Sequence, residues 1–232
     1  MSNKWRNKVS LIWRTWGFSL LITLLIVLSF RSAVADWNDV PSGSMKPTIL
    51  EGDRIFVNKL AYDLKVPFLT WRLARWDDPN RGDIVVFFSP ADGTRLVKRV
   101  VGIPEDILAM RNNQLFINGE AVAYEALDQS IIDQIDSNQQ SHHLFFSENI
   151  TGKSHPVMMT PTSPSMTSFY PITVPEKHYF LMGDNRDNSA DSRVFGFVDR
   201  KKIIGRATAV VIYLKRDNYY LPRWHRFFQK LP

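Results

Sequence analysis

The sequence predicts a mainly β body behind one N-terminal apolar helix, and three observations predict it. Residues 16–30 (WGFSLLITLLIVLSF) carry no charge and are apolar all round. Beyond them, runs rich in Val, Ile, Phe and Tyr are cut at short intervals by turn pairs such as Asp92-Gly93, Asn112-Asn113 and Asn118-Gly119. After the apolar run no long helical period survives, apart from a short helix near 222–231.

The apolar run resumes at Ala33, Val34 and Ala35. A spanning helix needs about 20 residues, and 16–35 supplies them if Arg31 snorkels to the interface. Lys4, Arg6, Lys8 and Arg14 precede the run with no acid among them, whereas Asp36 and Asp39 follow it. That bias makes 1–15 a cytoplasmic tail, 16–35 a single transmembrane helix and 36–232 an extracytoplasmic domain. The same run also reads as a secretory signal, with Ala33-Val34-Ala35 as its cleavage site. The anchor is preferred because the candidate chemistry begins only nine residues past Ala35.

The body then unfolds in order. Pro41 and Pro47 bracket an extended stretch, Glu51-Gly52-Asp53 is a turn, and residues 54–59 read as a strand. Residues 63–82, rich in Trp, Arg, Asp and Pro, read as a loop excursion. Asp83–Ser89 (DIVVFFS) is a strand buried on both faces, returning through Asp92-Gly93 along Arg95–Ile103. Residues 121–176 read as a loop-rich lobe inserted into the sheet. Tyr179–Met182 resumes as a strand, and Phe195–Val198 and Arg206–Leu214 close the body.

Composition removes several functions. With no cysteine there is no disulfide framework, thiolate zinc site or cysteine nucleophile. The net charge of +6 sits at the two ends, in 1–14 and in 215–232, and the stretch between them is net acidic. Such a distribution favours anionic lipid over nucleic acid. The five histidines lack H-E-x-x-H spacing, no G-x-S-x-G or S-x-x-K is present, and the loop from Asp184 lacks the Gly and Glu of a calcium loop. No metal or cofactor is expected.

A serine activated by lysine remains. A serine hydroxyl needs a neighbour to take its proton, and a lysine can do so once burial makes it neutral. Lys98 shares a strand face with Leu96 and Val100, while Arg99 points away. It reads either as that base or as a charged gatekeeper on an edge strand. Ser44 lies in PSGSMKPT, where Gly43 permits an unusual backbone angle; the loop reads as a nucleophile mount or as an ordinary Ser/Gly/Pro loop. Lys46 reads as a surface residue.

Taken in order, PSGSMKPTILEGDRIFVNK, RGDIVVFFSP, RLVKRVVGIPEDIL and GDNRDNSADSR followed by FGFV resemble the motifs of type I signal peptidases, Ser-Lys peptidases that remove signal peptides from exported proteins. The resemblance covers most of the body, and its last motif is the most specific. It implies a coiled, mostly antiparallel β catalytic core with a smaller β-rich lobe inserted at about 111–176. It further implies Ser44 as nucleophile, Lys98 as general base, Ser42 and the Ser44 N–H as oxyanion hole, and Ser189 orienting the lysine. Asp191 with Arg193, and Asp184 with Arg99, would be structural supports. Val40, Pro41, Ile49, Leu96 and Val97 would read small residues at A-x-A sites.

The implied partners are signal peptides of exported preproteins, membrane lipid and the export machinery, with no nucleic acid, at the inner (plasma) membrane and with a periplasmic catalytic side. Two alternatives stand beside this. One is a Ser-Lys peptidase dedicated to a single client such as a pilin or conjugation factor; the other is an inert membrane-tethered binding module. Ala33-Val34-Ala35 also raises the prospect of self-cleavage.

Overall fold

A computed structural model describes residues 13–69, 71–215, 221–222 and 227–232. The main sheet runs, edge to edge, Ala35–Asp39, Asp53–Asn58, Ile203–Lys215, Ile84–Phe88, Arg95–Gly102, His178–Met182 and Val198–Asp199, every pair antiparallel. Alternation sets its faces. In Asp53–Asn58, Ile55 and Val57 turn inward while Arg54 and Phe56 are only half-buried. Ile84 and Val86 pack into a cluster with Met45 and Ile49; Val85 and Phe87 join a second with Tyr62 and Leu181. Three register shifts along the 13-residue strand Ile203–Lys215 make the sheet curl.

The asparagine turns form where the sequence puts them. Asn112 and Asn113 take φ of 48° and 65°, and Asn118 and Gly119 take 52° and 86°, the left-handed pairs that tight hairpins require.

Other segments depart from expectation. The apolar helix covers Phe18–Ala33, not 16–35, and follows a π-helical turn at Trp13–Gly17. Ala35 instead opens the edge strand, paired with Asn58, and the Val34 carbonyl accepts from Lys59 N at 3.0 Å. The buried Lys59 ammonium caps the helix end, donating to the Arg31 and Ser32 carbonyls at 3.0 and 3.1 Å. Arg31 pairs with Asp36 at 3.0 Å. Among the described residues no helix is long and apolar enough to cross a membrane. The expected tail 1–15 lies, up to residue 12, outside the described residues.

The loop excursion contains a small hairpin, Asp63–Lys65 with Arg72–Arg75. The inserted region is β-rich, as the resemblance implies, and not the loop-rich lobe that its composition suggests. Ala123–Ala126, Leu144–Ile150 and Lys153–Met159 form one antiparallel sheet; Phe169–Thr173, Ile107–Arg111, Gln114–Ile117 and Glu120–Ala121 form another. Near the C-terminus Leu221–Pro222 and Gln229–Lys230 pair with the long strand in place of the expected helix; residues 223–226 lie outside the described residues.

Candidate active site

Three segments meet at one point. Ser44 sits in a single 3-10 turn, Gly43–Met45, pinned to the core by the buried Met45. Lys98 comes from the middle of strand Arg95–Gly102, opposite Val85. The polar loop after His178–Met182 supplies the rest. Lys98 Nζ donates to Ser44 Oγ at 2.6 Å and to the Val97 carbonyl at 3.1 Å.

Lys98 is only 3% exposed. Loss of hydration pushes its amine down to about 8, against the opposing pull of the Asp191 and Asp184 carboxylates and with help from Arg193. Ser42 is exposed, and its Oγ lies 3.4 Å from Ser44 Oγ.

The supporting acids are buried and paired. Arg99 grips Asp184 through two parallel bonds, Nε to Oδ1 and Nη2 to Oδ2, both 2.8 Å, and the Thr48 hydroxyl donates to the same carboxylate. Asp191 caps the helical turn Ser192–Phe195, accepts from Gly183 N at 3.0 Å and pairs with Arg193 at 2.8 Å. Burial works to raise the Asp191 carboxyl, but the Arg193 hydrogen bond and charge overcome it and hold it below the usual range.

Ser189 reaches the same corner without bonding to Lys98. Its buried hydroxyl lies against Gly183, with no partner in hydrogen-bonding geometry among the described residues. The five residues expected to read substrate do not form one patch. Ile49 is fully buried and Val40 nearly so, both in the Met45 cluster, because the turn after Ser44 folds inward. Val97 packs half-buried against that cluster, Leu96 packs against the opposite one, and Pro41 is exposed.

Four features escape a reading of the sequence alone. Asn185 clamps the Ser44 turn, its backbone N–H donating to the Ser44 carbonyl and its Nδ2 to the Gly43 carbonyl, both at 3.1 Å. Gly183 leaves the room in which Ser189 and Ser44 approach. Gly43 does not hold a left-handed angle; a Cβ there would instead lie 2.7 Å from Glu51 Oε1. Lys46 is buried, not on the surface, because Gln139 and Glu51 close over its ammonium at 3.2 and 3.5 Å. Asn185 and Gly183 lie inside GDNRDNSADSR, the one signal that pointed toward them. Among the described residues no group of three or more His, Asp or Glu is placed to hold a metal.

Residues 13–212 match the family model described as signal peptidase, peptidase S26. The chain belongs to this family. Signal peptidase I of Pseudomonas fluorescens is 36% identical over 207 residues, covering 84% of this chain and 71% of the relative. Signal peptidase I P of Bacillus subtilis subsp. natto is 34% identical over 212 residues, covering 91% and 94%. A solved signal peptidase I from Enterococcus faecalis V583 is 32% identical and has a TM-score of 0.37, covering 57% of this chain and 98% of that one. As an S26 signal peptidase the chain is a serine endopeptidase.

Proposed function

We propose that this signal peptidase cleaves preproteins after A-x-A sites with Ser44 as nucleophile and Lys98 as general base, close to a membrane surface. The 2.6 Å contact between Lys98 Nζ and Ser44 Oγ carries the reading. Once Lys98 is neutral, that contact runs in reverse and the Ser44 O–H donates into the amine lone pair. Ser44 Oγ attacks the scissile carbonyl carbon as its proton passes to Lys98. The Ser44 N–H and the Ser42 hydroxyl donate to the resulting oxyanion. Collapse breaks the C–N bond, with Lys98 returning the proton to the leaving amine. Water, deprotonated by Lys98 in turn, then releases the acyl group from Ser44.

Ser189, Asp191 with Arg193, and Asp184 with Arg99 hold this corner. Ser189 does so by packing against Gly183 rather than by a bond to the lysine. Pro41 and the half-exposed edges of Leu96 and Val97 are the accessible candidates for substrate contact.

The membrane part of the proposal keeps a single-pass anchor, a cytoplasmic N-terminus and a periplasmic catalytic side at the inner membrane. The helix Phe18–Ala33 rises about 24 Å, with Leu20, Ile26 and Phe30 all more than half exposed. Support comes from the hairpin beside the helix end. Phe68 N donates to Ser32 Oγ at 2.7 Å, and Phe68, Trp71, Leu73 and Trp76 stand exposed around it. Aromatic and apolar side chains grouped in this way suit the headgroup level of a bilayer.

Cleavage of a generic preprotein by the full chain tests the chemistry. Ser44→Ala and Lys98→Ala should each lower kcat by at least about 10,000-fold. Near wild-type cleavage by Lys98→Ala would refute the base assignment, and cleavage confined to one client would favour a dedicated peptidase.

A further inference from the structure

The inserted lobe sends one buried charge into the catalytic loop. Glu148, on strand Leu144–Ile150, is completely buried, and Arg186, two residues past Asp184, is 1% exposed. Arg186 Nη1 donates to Glu148 Oε1 at 2.6 Å and Nη2 donates to Oε2. The Tyr124 hydroxyl donates to Glu148 Oε1 at 2.5 Å and accepts from Arg186 at 3.3 Å. The buried His155 ring brings Nε2 to 3.0 Å from Glu148 Oε2.

The backbone joins the same two parts. Met158, on the second strand of the lobe hairpin, takes the Asp184 carbonyl with its N–H, and its own carbonyl takes the Arg186 N–H, both at 2.8 Å. Between those two bonds lies Asn185, which holds the carbonyls of Gly43 and Ser44. Asp184, on the other side, is locked to Arg99, the neighbour of Lys98. The segment 184–186 is therefore fixed by the lobe on one side and fixes the Ser44 turn on the other.

Resting on the Ser44–Lys98 reading, we infer that Glu148 is a positioning residue for peptide cleavage: by locking Arg186 it keeps Asn185 in place and the Ser44 turn in register with Lys98. The lobe is then a working part of the active site. The link from Glu148 to Ser44 runs through Arg186, Met158 and Asn185, a chain of contacts and not a direct approach to the base.

The test uses the full chain, a soluble A-x-A peptide, thermal unfolding to count folded protein, and Ser44→Ala as the control for the chemistry. Glu148→Gln removes the charge and keeps the shape. Per folded molecule, kcat should fall roughly 10- to 100-fold, with KM within about twofold and the midpoint of the pH profile unmoved. Removing one partner of a buried pair can unfold a protein, whereas replacing both with apolar residues is often tolerated. Glu148→Met combined with Arg186→Met should therefore fold and still show the lowered kcat. Wild-type kcat in either folded variant would overturn the inference, as would a shifted pH midpoint, which would make Glu148 a tuner of Lys98. An active Ser44→Ala would instead sink the underlying chemistry and leave the effect of Glu148 on kcat as a separate observation.

Discussion

A methyl group on Gly183 would lie 2.5 Å from the carbonyl oxygen of Ser44 and 2.3 Å from Ser189 Oγ. Both distances are far inside van der Waals contact, and one neighbour is backbone. Gly183→Ala should therefore displace the nucleophile turn while leaving the sheet intact. A shift of about 1 Å costs on the order of 100-fold in rate, so kcat should drop by roughly that factor with folding preserved. Steady-state kinetics beside a thermal melt checks this; unchanged kcat would mean that the loop gives way without moving Ser44.

The Ala33-Val34-Ala35 site is already folded. Ala33 is buried at the end of the helix, Ala35 is paired with Asn58, and Lys59 holds the carbonyls before them. A protease needs such a segment extended and free. The purified enzyme should keep its own N-terminus, and N-terminal sequencing should find no chain starting at Asp36. Loosening the clamp with Lys59→Ala should make the site more susceptible.

What the sequence made legible was local. Asn112-Asn113 and Asn118-Gly119 announced their turns because few other residues tolerate those angles. A lysine between Leu96 and Val100 breaks the apolar alternation of its strand, but only the exclusion of other hydrolase designs and the motif GDNRDNSADSR favour a base over a charged gatekeeper there. The hairpin Leu144–Met159 was lost to broken alternation of the same kind. Glu148 and His155 occupy inward positions on it, and what makes those positions habitable is Arg186, 38 residues from Glu148 along the chain. Long-range compensation of this kind leaves no periodic trace. Ile49 and Lys46 were misplaced likewise, because their burial depends on how the Ser44 turn folds back and on Gln139 from the lobe.

The membrane reading has its own test. The chain has no cysteine, so Trp71→Cys creates a unique label site on the exposed hairpin. With the full chain in vesicles containing anionic lipid, a nitroxide there should be shielded from aqueous relaxants and accessible to oxygen. The same label at Tyr170, 89% exposed on the lobe, should face water. Equal aqueous exposure at both sites would remove the hairpin from the interface.

The most direct test of the Ser44–Lys98 account is the pH dependence of kcat for a soluble A-x-A peptide between roughly pH 6 and 10. A lysine base works only when neutral, and burial brings the Lys98 amine down to about 8. The neutral fraction grows with pH, so kcat should rise tenfold per unit on the acid side, bend near that value and level off above it. A profile that is flat across the range, or that bends near the ~10.4 of a free lysine, would contradict a buried Lys98 as the group that takes the proton from Ser44.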